Sequence, residues 1–154
     1  MGKIILFAML ILPWLTLFLL KRYSIKRFMP TAILGSLLVT IVFEIGYVYE
    51  WWKIQEKITS WDVITSVPLV YGVFLVGTIW IFHFTFERKF IVYMLANIFM
   101  DAFYSFIALK VLISLGIYKL VNMGSLGIFL MMSIIACIIY AYQKWQDGIM
   151  KIKE

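Results

Sequence analysis

The sequence predicts an all-α integral membrane helical bundle, one domain over residues 1–154 with about five transmembrane helices, and three observations carry that prediction. Apolar residues make up 64% of the chain and charged residues 14%, against about 45–50% and about 25% in soluble domains. Mean hydropathy is +0.99. Several apolar runs approach the roughly 20 residues that a helix needs to cross a bilayer.

The first predicted span, Ile4–Leu20, is the shortest, about 17 residues or roughly 25 Å of helix. A cleavable signal peptide carries its positive charge before the apolar run and a small-residue site behind it. Here "KRYSIKR" follows, with no A-x-A, so the sequence predicts a retained helix. It bends at Pro13, whose ring removes a backbone hydrogen bond. The other spans read as Met29–Tyr49, Val63–Phe86, Phe90–Leu115 and Ser125–Tyr142. Pro68 falls in the first turns of the third, where proline is tolerated. Gly35, Gly46, Gly72, Gly77, Gly124 and Gly127 predict close approach of helix backbones. No internal repeat is visible, and "QKWQDGIMKIKE" reads as a short mixed-charge tail.

Orientation follows from the basic residues between spans. Lys21, Arg22, Lys26, Arg27, Arg88, Lys89, Lys144, Lys151 and Lys153 fall on one side. Lys3, Lys53, Lys57 and Lys119 fall on the other. The bias predicts the N-terminus outside and the C-terminus cytoplasmic. A net charge of +6 is thus explained by topology, and no nucleic-acid partner is expected.

The longest outside connection is "EWWKIQEKITSWD", Glu50 to Asp62. Trp51, Ile54, Ile58 and Trp61 recur at helical spacing, which predicts a short amphipathic helix in the headgroup layer. Trp51, Trp52 and Trp61 are its interfacial anchors, matched by Tyr140, Tyr142 and Trp145 at the other face.

Four ionisable groups fall within spans: Glu44, His83, Asp101 and Lys110. Each costs on the order of 2.5–3.5 kcal/mol at mid-bilayer, so each is a candidate functional group facing the bundle interior. Asp101 lies near the middle of its span and Glu44 roughly 7–8 Å outward of the middle of its own. Nine residues separate Asp101 from Lys110, about 900° of helix, so they occupy opposite faces. Lys110 is instead expected to meet Glu44. Ser36, Thr40 and Glu44 form one polar stripe, and Asn97, Asp101 and Ser105 another. Such stripes serve as hydrogen-bond glue between helices or line a thin hydrated path; His83, Asp101 and Glu44 would form a relay ladder if they faced one another. His83 and Glu87 alone are too few for a metal site, and Cys137 reads as a small apolar side chain.

Phosphate loops, nucleophile elbows and H-E-x-x-H motifs are missing from the sequence. The expectation is therefore no enzyme, no cofactor and no metal. The order "PWLTLFLLKR", "KRFMPTAIL", "FEIGYVYEWW" resembles a family of small uncharacterised multi-pass membrane proteins of spore-forming Gram-positive bacteria. The likeness covers mainly the first third of the chain and implies a bacterial cytoplasmic membrane. The expected function is an accessory, assembly or immunity-type partner that acts through helix–helix contacts with another membrane protein or in a homo-oligomer. The alternative is a small transporter or channel component passing protons or small cations.

Overall fold

A computed structural model describes residues 1–151 of the chain; Lys153, counted above for orientation, lies outside them. Five helices are each long and apolar enough to cross a membrane: α1 (Gly2–Leu19), α2 (Arg22–Val48), α3 (Pro68–Thr85), α4 (Phe90–Ser114) and α5 (Ser125–Lys151). Two short strands, β1 (Trp52–Ile54) and β2 (Tyr118–Leu120), join the α2–α3 and α4–α5 connections. Helix α2 packs against α3 and α5, and α4 packs against the same two, so the four form a ring. The largest buried side chains include Tyr93 and Phe82, whose ring centroids lie 4.9 Å apart where α3 and α4 meet.

Helix α1 lies against the first turns of α3, and two residue types explain why it can. Pro13 has no N–H, so the Met9 carbonyl one turn earlier has no partner within α1. Gly72 approaches that carbonyl so closely that a Cβ on it would lie 2.3 Å from the Met9 oxygen. Beside it, Trp14 Nε1 donates to the Tyr71 carbonyl at 2.8 Å. Here α3 runs in wide π-helical turns, Pro68–Phe74, before settling into α-helix.

Helices α2 and α4 end alike. Each closes on a residue with positive φ, Glu50 at 49° and Gly116 at 73°. The next N–H reaches back to a carbonyl five residues earlier, Trp51 to Gly46 at 2.8 Å and Ile117 to Leu112 at 3.0 Å. This is the Schellman stop. Each stop feeds a strand that reads apolar, lysine, apolar, and the two strands pair antiparallel about Lys53↔Lys119. Lys53 and Lys119 point away from the bundle, and Glu50 lies 3.3 Å from Lys53.

Several expectations are corrected. The Glu50–Asp62 connection is no amphipathic helix: Trp52–Ile54 is extended because Tyr118–Leu120 offers it a partner, and a strand pairing won from a distant segment overrides a local helical period. The fifth helix extends past the expected end at Tyr142, since α5 runs on to Lys151. Gly77 and Gly124 adjoin no neighbour within 4 Å of a Cβ, so they mediate no close approach. Although the sequence carries no repeat, α2–β1 and α4–β2 share one helix, stop and strand order.

Candidate functional site

The polar groups expected inside the bundle divide into two sets. Asn97, Asp101 and Ser105 of α4 do turn inward and are buried. Asn97 Nδ2 donates to the Tyr93 carbonyl at 2.9 Å, and Tyr93 Oη donates to Ala136 of α5 at 2.8 Å. Asp101 retains 9% exposure, and its Oδ2 is buried without a hydrogen-bond partner among the described residues. Ser133 of α5 is within hydrogen-bonding reach of this carboxylate, and its hydroxyl also lies 3.0 Å from the Phe129 carbonyl. Ser105 Oγ, one turn on, is likewise unpartnered. It sits in a second π-helical stretch, Tyr104–Ala108, a local widening that recurs at functional sites.

Asp101 lines a partly open cavity of about 150 Å³ between the helices of the ring. The walls are almost wholly aliphatic and aromatic: Val39 and Phe43 from α2, Gly77 from α3, Met132 and Ile139 from α5. Trp52 of β1 lines it too, against Phe43 at 5.3 Å between ring centroids. Its indole N–H has no partner.

Glu44 and Lys110 form the other set, and both face outward. The expected pair between them does not form: among the described residues the ion pairs are Arg27 with Glu87 and Asp147, and Lys53 with Glu50. The helices that carry them lie across the ring from each other, so their side chains diverge. The relay ladder is not assembled either, because Glu44 is outside the bundle while His83 contacts Ser24, 3.0 Å from its Nδ1. Thr40 is used in helix contact: its Oγ1 donates to the Ser36 carbonyl at 2.9 Å and meets Tyr71 Oη at 2.9 Å.

Of the three tryptophan anchors, Trp61 is exposed, while Trp51 and Trp52 are both half-buried, Trp51 against Tyr49 and Trp52 against Phe43. Behind the ribbon, Ser66 Oγ and Tyr118 Oη share a hydrogen bond. Burial pushes the Tyr118 phenol up from its ordinary value. Buried Asp62 accepts the Val67 N–H at 3.1 Å, just before α3.

Sequence reading missed a clamp at the end opposite the ribbon. Arg27, taken only as a topology marker, is buried and bonds both Glu87 and Asp147, the latter at 2.8 Å from Nη2. Its guanidinium lies 4.9 Å from the Phe86 ring centroid. One cation thereby ties the start of α2, the α3–α4 turn and the last turns of α5. Thr31 and Gln143, both buried, bond each other one turn further in. The spacing of Arg27 and Thr31, four apart and matched by Gln143 and Asp147, was the available signal. Glu87 is thus engaged away from His83, and among the described residues no three His, Cys, Asp or Glu side chains converge as a metal site. The chain matches no protein-family model, no curated protein and no solved structure.

Proposed function

We propose that the chain is a non-enzymatic, five-span protein of a bacterial cytoplasmic membrane that acts through helix contacts, as an assembly or accessory partner, and that its first partner is a second copy of itself. The N-terminus and the β-ribbon lie outside and the Arg27 clamp lies at the cytoplasmic face, as the basic residues favour. The bacterial setting rests on the resemblance of the three amino-terminal motifs.

The observation that carries the reading is the outward placement of Glu44 and Lys110. Each stands four residues before the end of its helix, Val48 and Ser114, about 6 Å along the axis. Each is two residues before the carbonyl that its Schellman stop uses, so the two stand at equivalent positions relative to their helix ends. Their charges are opposite and their helices face away from each other. A second copy can therefore set its Lys110 against Glu44 at the same depth, head to tail. An exposed apolar surface that includes Leu37, Ile41 and Ile45 surrounds the acidic member. A proton or cation conduit is the less favoured reading, since of Glu44, His83 and Asp101 only Asp101 lines the cavity.

The test is a charge exchange, read as oligomeric state by single-molecule photobleaching in liposomes. Glu44→Lys alone and Lys110→Glu alone should each leave mainly monomers, whereas the double exchange should restore association. Equal oligomer distributions in all four proteins would refute the pairing.

A further inference from the structure

The Asp101 cavity stands apart from the outward-facing pair, and its chemistry points to a different occupant. We propose that it binds a small, chiefly apolar molecule carrying one hydrogen-bond-donating head group, an amine or a hydroxyl, which reaches the Asp101 carboxylate. Three observations carry this.

First, the cavity is partly open, so a guest can enter, and its volume of about 150 Å³ is that of apolar protein cavities that admit benzene-sized guests. The wall is mostly hydrocarbon, with a few polar groups that include Asp101, Asn97 and Trp52, the make-up that suits an apolar body with one polar head. Second, the one acidic side chain in the wall has an oxygen, Oδ2, that is buried and unpartnered. Ser133 of α5 comes within reach of the carboxylate, yet Oδ2 itself stays without a partner, and Lys110 faces outward. Third, a Cβ on Gly77 would meet nothing within 4 Å although Gly77 lines the cavity. Space is left open on the α3 side, where a larger residue would close it without a clash.

The head group determines the preference. An ammonium or hydroxyl placed at Oδ2 gains a hydrogen bond to a buried acidic group that a hydrocarbon of the same shape lacks. Such a bond corresponds to about 10- to 100-fold in affinity. The unpartnered indole N–H of Trp52 in the same wall adds a donor for a guest that also carries an acceptor.

The experiment uses the full chain in lipid nanodiscs and ¹⁹F NMR of three probes of one shape: 4-fluorobenzylamine, 4-fluorobenzyl alcohol and 4-fluorotoluene. Empty nanodiscs give the partition into lipid. Wild type should bind the amine or the alcohol at least tenfold more tightly than the toluene, and whichever binds better identifies the head group. Asp101→Leu should erase the difference while the apolar probe still binds. Gly77→Leu, which fills the cavity, should abolish specific binding of all three with the fold intact by circular dichroism. The proposal is overturned by equal affinity for the three probes, by no binding above empty nanodiscs, or by native mass spectra in which a phospholipid occupies wild type and is lost from Gly77→Leu. None of these readouts depends on the oligomeric state, so failure here is distinct from failure of the Glu44–Lys110 pairing.

Discussion

Replacing Gly72 and, separately, Gly77 with alanine tests whether α1 is seated backbone to backbone on α3. The two positions lie five residues apart on one helix, yet their surroundings are opposite. At Gly72 the new Cβ would lie 2.3 Å from the Met9 oxygen and 2.8 Å from the Leu10 Cα. Carbon and oxygen approach to about 3.3 Å even in favourable C–H···O contacts, so α1 must retreat by about 1 Å. The obstructing atoms are backbone, which cannot swing aside as a side chain does. The expected loss is therefore at the upper end of overpacking, about 3 kcal/mol. At Gly77 the added methyl enters open space, and the gain in helix propensity of about 0.5–1 kcal/mol acts alone. The two variants should differ by about 4 kcal/mol in reversible unfolding by SDS from mixed micelles, followed by tryptophan fluorescence. Agreement of the two within about 0.5 kcal/mol would refute the seating and, with it, the role assigned to Pro13 in freeing the Met9 carbonyl.

Arg27→Gln should destabilise by about 3 kcal/mol, the lower end for a broken buried pair because Glu87 stays exposed; an unchanged unfolding curve would mean that the clamp holds nothing. Glu50→Gly relieves a left-handed backbone at φ 49° and should stabilise by about 0.5–1 kcal/mol net of the exposed Lys53 contact, checked in the same assay. Tyr118→Phe should remove an alkaline loss of stability. Burial raises the folded phenol above its ordinary value, so above about pH 10 the unfolded chain releases a proton that the folded chain retains. Wild-type stability must then fall by up to about 1.4 kcal/mol per pH unit from that contribution. Parallel pH profiles for wild type and variant would contradict this.

Helix number was legible in the sequence because apolar runs of span length are a one-dimensional signal, whereas the polar helix ends were not: α2 begins at Arg22 rather than Met29, and α5 runs to Lys151 rather than Tyr142. Phe90–Leu115 was read to within one residue of α4. The ribbon was not legible, since Trp52-Lys53-Ile54 becomes a strand only beside Tyr118-Lys119-Leu120, which is 66 residues away. The stop after α2 was hidden for a related reason: Gly116 announces a positive φ, but Glu50 adopts one without glycine. Among site residues, the type of group was legible and its facing was not. Glu44 and Asp101 both read as carboxylates beside a hydroxyl one turn away, yet one faces out and the other in.

Depth accounts for that difference. Glu44 and Lys110 stand about 6 Å from the ends of their helices, so their side chains can reach the headgroup layer along their own surfaces. Asp101 lies 11 residues from Phe90 and 13 from Ser114, roughly 16 and 20 Å along the axis. No rotamer brings it to water, so it turns to the bundle, where it finds no donor for Oδ2. A group retained for the fold would be paired there; a group kept for a guest costs stability until the guest arrives. Asp101→Leu should therefore stabilise the empty protein by about 1–3 kcal/mol, because it removes an unsatisfied buried acceptor and adds apolar contact in a cavity with room for it. Equilibrium unfolding without added probe measures this directly. A loss of similar size would instead mean that the carboxylate holds helices together, and the cavity would then be a packing defect beside a structural hydrogen bond.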